Sequence, residues 1–497
     1  MTKSAKYIKA AITKQIKTEY PNFSSMKNKD KKRIIENLWE CFRYPDGETH
    51  NIQLTEEEIL GTLKTPHNII DINKMQILIS EYKTRLHYLN PKTNDIKDPE
   101  LHFLEELIDW NLINHLLADE NYTPGKRKIF PFQFFKAELL KQLKYAELAY
   151  RKYTSREINN PERKENRTFL GLKAGQQITH DQLSKFRRTL DYNRLINVLV
   201  YFIALFLADK GLGDASFHAV DSTELAVKVN PYPLFKTTVN GEKVRFYSDI
   251  DADLGTRRNK RDKSKFILGY RMHTLTIINP KTQEAYPLIS VLASANHHDS
   301  NFLKVLLKLS KAIGLDVKLI VADQAYGSEY EYKEFYDEYG VTLLNAPKET
   351  VSVPKYVDKK TGEVRKDSMC AFPMEYIGKD EQNGHEFHCN APFNECPLDG
   401  TCSKTHFIPI DSGQFGLLPV HHLKDAQKAL DMRKVAERPF NLIKHRDGLE
   451  PLRTRGMVNS TFVTLTSNIT TMLIEIAGYR KKTKKKKTVT DRNIKAA

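Results

Sequence analysis

Apolar positions along this chain follow two different periods, and the place where one gives way to the other divides it. In Ile34–Phe42 (IIENLWECF) and Leu101–Leu117 (LHFLEELIDWNLINHLL) apolar residues return every three or four positions, the spacing of a buried helix face. The same period runs through Pro131–Tyr153 and, after a polar stretch without period over 154–175, through residues 178–211. Thr179 predicts an N-cap for a helix carrying Leu183, Phe186 and Leu190 inward and Lys185, Arg187 and Arg188 outward. A short basic helix after a polar turn is what a helix-turn-helix reader presents to DNA, which makes Arg187 and Arg188 candidate DNA contacts. An ordinary solvated face accounts for the pattern equally well.

From Ala215 the period shortens to that of strands. Phe217–Asp221 predicts a short strand, and after a long polar connector Phe266–Ile278 and Ala285–Ser294 predict two more, joined antiparallel. A helix over Ser300–Ile313 follows, entered through Asp299, then a buried strand at Asp316–Asp323, a helix at Ser328–Tyr339 and a strand at Val341–Ala346. Three strands followed by strand, helix and strand is the order of a ribonuclease-H-like sheet. The expected fold is therefore α/β mixed: a ribonuclease-H-like core with a mixed five-stranded sheet, preceded by an all-α N-terminal region and interrupted by an insertion. The expected divisions are a helical region at 1–125 for end recognition or dimerisation, a helical DNA-binding region at 126–213, and the first part of the catalytic domain at 214–346. A Cys/His-containing insertion at 347–424, a catalytic and a closing helix at 425–480, and a basic tail at 481–497 complete the chain.

Charge narrows the function. Lys and Arg number 78 against 62 Asp and Glu among 497 residues, a net charge of +16, which favours a polyanion as partner. Seven of the basic residues lie within Arg480–Lys487. A membrane is not expected: the longest apolar run, Leu195–Ala208, spans 14 residues, contains Asn197, and falls short of the roughly 18 that a bilayer requires. The first residues are basic without an apolar core, unlike a secretory signal, and five cysteines make no disulfide framework. The expectation is a cytoplasmic protein.

Three acids stand out by context. Asp221 ends the first strand in HAVDST, Asp323 ends the strand LIVAD, and Glu437 lies on a late helix in RKVAERPFNLIK. A carboxylate at the end of an apolar strand must be capped, paired or bound to metal. If the first and fourth strands pair, Asp221 and Asp323 emerge side by side. At about 100° per residue, Arg433 and Lys444 fall on the face of Glu437, although Pro439 disturbs the helix. Three converging carboxylates suit Mg²⁺ or Mn²⁺, and adjacent cations would hold the phosphates that carboxylates repel.

At these residues the sequence resembles the DDE transposases of bacterial insertion sequences, in the group with a Tyr-Arg-Glu-Lys signature. HAVDST, KFILGYRMHTLTII with LASANHHDS, LIVADQAYGS, and RKVAERPFNLIKHRDGLEPLRTRG match that family's motifs in order, over about residues 130–347 and 425–460. Arg433, Glu437 and Lys444 meet the signature spacing; the tyrosine position is Leu430 here. The resemblance implies Asp221, Asp323 and Glu437 as catalytic residues holding two Mg²⁺, with Mn²⁺ as substitute, and Arg433 and Lys444 on the terminal DNA strand. It also implies double-stranded DNA as partner, in the form of terminal inverted repeats and target, and a homodimer in a synaptic complex. The reaction it implies is cleavage at the element ends and joining of the freed 3′-hydroxyl to target DNA. A DNA-binding protein that has lost catalysis, and a ribonuclease-H-like nuclease that does not join strands, are the alternatives.

Two smaller groups remain. His273, His297, His298 and Asp299 surround the strand block, where Asp299 reads as a helix N-cap and the histidines as lining for a DNA channel. Cys370, Cys389, Cys396 and Cys402, with His385, His388 and His406, could ligate a structural Zn²⁺. Their Cys-x6-Cys and Cys-x5-Cys spacings are looser than those of ordinary zinc fingers, and free thiols explain them as well.

Overall fold

The alternating run around residue 270 becomes the spine of the main sheet. The computed structural model describes residues 69–83, 96–118 and most of 129–478, with breaks in the last stretch chiefly at 230–233, 238–242, 327–330, 346–355, 359–362, 367–369 and 410–423. The expected helix at 34–42 and the basic tail lie outside the described residues.

Among the described residues, six helices of eight or more residues precede the first strand. They are α1 (Ile72–Lys83), α2 (Pro99–Leu107), α3 (Trp110–Leu117), α4 (Pro131–Lys144), α5 (His180–Thr189) and α6 (Tyr192–Lys210). The run at 101–117 is two helices because Asp109 interrupts it: its carboxylate accepts from the backbone N–H of Asn111 at 2.9 Å and Leu112 at 3.1 Å, capping α3. Thr179 caps α5 as its sequence predicts, accepting from Gln182 N at 3.2 Å while the Gln182 side chain accepts from Thr179 N at 2.8 Å. By length and composition α6 could cross a membrane, yet twelve of its residues, Leu195 to Leu207, are buried in the protein. It is a core helix.

The strands that follow are β1 (Phe217–Ala226), a separate hairpin β2 (Leu234–Thr237) and β3 (Lys243–Phe246), then β4 (Asp253–Asn259), β5 (Asp262–Asn279), β6 (Glu284–Ser294), β7 (Leu319–Ala322) and β8 (Thr342–Leu344). Helix α7 (Leu303–Ala312) joins β6 to β7, and α8 (Glu331–Tyr339) joins β7 to β8. β5 pairs antiparallel with both β1 and β6, while β7 pairs parallel with β1 and β8 parallel with β7. The order β6-β5-β1-β7-β8 is the ribonuclease-H-like sheet.

The sheet has six strands and not five, because β4 pairs with the first half of β5. That strand lies in the connector whose polar composition hid it. The basic run Arg257–Lys265 straddles this β4–β5 hairpin. At Gly269, where β5 passes from β4 to β1, a Cβ would stand 2.0 Å from the carbonyl oxygen of Leu225, so only glycine permits the approach.

After β8 the insertion holds a three-stranded antiparallel sheet, β9 (Glu375–Asp380), β10 (Gly384–His388) and β11 (Thr405–Ile408). The late helix is not regular. It runs as α9 (Lys424–Met432), a 3-10 turn over Arg433–Ala436, α10 (Glu437–Asn441) and a π turn over Leu442–Arg446. Pro439 has no N–H to give to the preceding turn, and the ladder changes pitch around it.

Helix α11 (Met457–Ile476) closes the fold between α6 and β6. Its N-terminus is held by two acids of the 249–251 turn: Asp249 accepts from Gly456 N at 3.1 Å and Asp251 from Met457 N at 2.8 Å. Its buried hydroxyls return to their own helix, as Thr464 and Thr466 do to the carbonyls four residues back, both at 2.8 Å. One continuous apolar core runs from Ile72 through the sheet to Ile474, so helices and sheet share an interior.

Candidate active site

The parallel register of β1 and β7 sets up the site. His218 lies opposite Ile320 and Val220 opposite Ala322, so the next residues along, Asp221 and Asp323, stand side by side where β7 stops. β1 itself continues to Ala226, so Asp221 is in mid-strand and not at its end. The expected emergence is produced by the neighbour's termination.

Each aspartate side chain is oriented by the backbone N–H of the residue that follows it. Asp221 Oδ1 accepts from Ser222 N at 2.8 Å, and Asp323 Oδ1 accepts from Gln324 N at 2.8 Å. The 3-10 turn on the late helix brings Arg433 over them: its Nη1 lies 3.8 Å from Asp221 Oδ2 and 4.0 Å from Glu437 Oε1. Burial pushes the Asp221 carboxyl up to about 6; Arg433 opposes this, and the charges of Glu437 and Asp323 add to it. All three carboxylates therefore share one electrostatic site.

They are not drawn into a closed set. Among the described residues no three His, Cys, Asp or Glu side chains lie as a ready metal-binding group. Glu437 is 60% exposed, and with like charges facing one another only the guanidinium stands between it and Asp221. The helix also departs from the even 100° spacing. Lys444, on the π turn, pairs with Glu450 at 3.2 Å, and no ion pair joins it to Glu437.

The remaining candidates separate. Arg187 faces inward, contrary to its expected outward position: it is buried, ion-pairs with Glu138 and stacks over Tyr150 at 4.3 Å. Arg188 is exposed, with Nε donating to the Ser184 carbonyl at 3.2 Å. Asp299 does not cap α7 through its side chain; it accepts from Arg271 Nη1 at 2.8 Å, and a 3-10 turn leads into the helix instead. His273 cannot line a channel, being fully buried and stacked on Phe302 with ring centroids 4.0 Å apart.

Beneath the acids lies a polar layer in which Tyr326, Arg271 and Glu224 join His273 and Asp299, the two members that the sequence singled out. Tyr326 Oη lies 3.0 Å from His273 Nδ1, and burial with the nearby charges of Asp299 and Asp221 raises its phenol well above the ordinary value. Arg271 also reaches Glu224 at 3.5 Å. The signal for Arg271 was available in the alternation of β5, where Arg271 and His273 fall among apolar residues of a buried strand.

Residues 213–473, just over half of the chain, match a family model described as a transposase DDE domain. No curated protein matches the chain. Among solved structures, the cryo-EM structure of a piggyBac transposase synaptic complex with hairpin DNA aligns over 84% of this chain and 78% of that one. The identity is 11% and the TM-score 0.29, too distant to bear on any residue.

Proposed function

Because this chain belongs to the DDE transposase family, we propose that it cuts DNA at the ends of a mobile element and joins the freed 3′-hydroxyl to target DNA, with Asp221, Asp323 and Glu437 as its catalytic carboxylates. The observation that carries the assignment is the β1–β7 register, which sets Asp221 beside Asp323 under the late helix. An all-oxygen donor set of this kind fits Mg²⁺, with Mn²⁺ as substitute. When bound, two such ions supply activation of the attacking hydroxyl and stabilisation of the leaving oxygen.

The chain's own residues do the rest. Asp221 must lose its proton before it can serve as a ligand, and Arg433 favours that loss. Arg433 would also meet a phosphate of the terminal strand, with Lys444 further along the same helix. Of the two arginines of α5, Arg188 is left facing outward, since Arg187 has an internal partner. In this reading the substrates are double-stranded terminal repeats and target, the working form is a homodimer pairing two ends in the bacterial cytoplasm at the nucleoid, and residues 1–125 serve end recognition or dimerisation.

The test is Mg²⁺-dependent cleavage of DNA carrying the element's own ends, with a supercoiled target present, comparing wild type and Asp323→Ala. Cleavage and joining, both lost in the variant, are expected. Cleavage without joining would leave a ribonuclease-H-like nuclease. Specific binding with no cleavage in Mg²⁺ or Mn²⁺ would overturn the enzymatic reading and leave a DNA-binding protein.

A further inference from the structure

The insertion between β8 and α9 gathers four of the chain's five cysteines around one space. Cys370, Cys389, Cys396 and Cys402 line a cavity of about 10 Å³, together with Met374, Ala391, Lys366 and Lys404. None of the four is in a disulfide. The cavity has room for one atom or water and not for an organic ligand. Its wall exposes no oxygen or nitrogen, which disfavours Mg²⁺ and Ca²⁺ and leaves sulfur as the donor. We propose that these four cysteines hold a structural zinc ion as thiolates.

Three features of the module support this. Its own apolar core is Val364, Met374, Phe387 and Ile408, with Cys389 packed against it. Four buried side chains with Tyr356 and Tyr376 at their margin make a small core for a three-stranded sheet, and small modules of this kind depend on a staple. Second, the chain turns sharply at the sulfur: Lys404 adopts φ 55°, and its N–H points at Cys402 Sγ from 3.4 Å. An amide aimed at sulfur is worth most when the sulfur is a charged, metal-bound thiolate. Third, a zinc tetrathiolate carries two negative charges, and Lys366 and Lys404 border the cavity that would contain them.

The histidines are not part of this set. His388 pairs with Thr405 Oγ1 at 2.9 Å, His385 with Tyr376 Oη at 3.2 Å, and His406 packs on the Tyr356 ring, none of them lining the cavity. The thiols as they lie surround the space without closing on a common point. Binding would draw them in, and the site is independent of the catalytic carboxylates.

The full-length protein, purified under reducing conditions and freed of metal, would be titrated with Co²⁺ and then with Zn²⁺. The expected result is the intense thiolate-to-cobalt charge-transfer absorption, abolished by about one equivalent of Zn²⁺ per chain. Carboxylates cannot give that band, so the readout does not depend on the active site. The Cys396→Ser and Cys402→Ser variants should lose it, and Cys41→Ser should keep it. Absence of the band in the wild type would overturn the proposal whether or not any variant folds. So would a band of full intensity in a protein carrying both Cys396→Ser and Cys402→Ser.

Discussion

Asp221 has two demands on it that pull in opposite directions. Its burial on the central strand β1 favours the neutral acid, and its proposed work requires the anion. With the carboxyl raised to about 6, protons compete with metal below that value. Mn²⁺ affinity, followed by calorimetry, should be level above pH 7 and fall about tenfold per pH unit below 6. Removing the neighbouring cation in Arg433→Ala should move this inflection to higher pH, because the anion loses its partner. A profile unchanged by that substitution would show that Arg433 does not act on Asp221. Arg187 and Arg188 give a second contrast at this scale. Arg187→Ala leaves Glu138 buried without its guanidinium and should cost about 3–5 kcal/mol, whereas Arg188→Ala should cost under about 0.5. Urea midpoints of the two variants would decide it.

Elements explain which parts of this fold could be read in advance. The strands β1, β5, β6, β7 and β8 were legible because each has one or two buried faces, which forces apolar residues into a short period or a run. β4 was not, because it sits among charged residues and is defined by its partner more than by its own composition. The insertion's strands are short and half-exposed, so little periodicity is imposed on them. Arg187 was misplaced because helical spacing cannot show that Glu138, far along the chain, waits on α4. The two aspartates were legible as acids following apolar strands, and Pro439 announced a disturbed helix beside Glu437, though not which turns, 3-10 before it and π after it, the disturbance would take. Gly269 makes a sharper statement about an element. Gly269→Ala must push β5 from β1, and a loss of about 1–3 kcal/mol in unfolding free energy is expected. Ala at Gly378, where nothing lies within 4 Å, is the matched control.

For the molecule as a whole, the change of period near residue 213 marks a change of secondary structure and no break in the interior. The apolar core is continuous from α1 to α11, with α6 and α11 packed together across that boundary. A fragment comprising 214–480 would expose the faces that α4 and α6 cover. It should be insoluble or aggregated on expression where the full chain is not, as gel filtration would show; a monodisperse, folded fragment would contradict the shared core.

The position of α11 has a consequence for synthesis. It is the last described element of the chain, and fifteen of its twenty residues, Ser460 to Ile474, are buried in the centre of the fold. Earlier elements can form as they leave the ribosome, but the interior stays open until this helix arrives. A chain released early, even one already bearing Asp221, Asp323 and Glu437, therefore lacks its keystone and falls to proteolysis. If the carboxylates cut DNA as proposed, truncated copies would be cleared before they could do so.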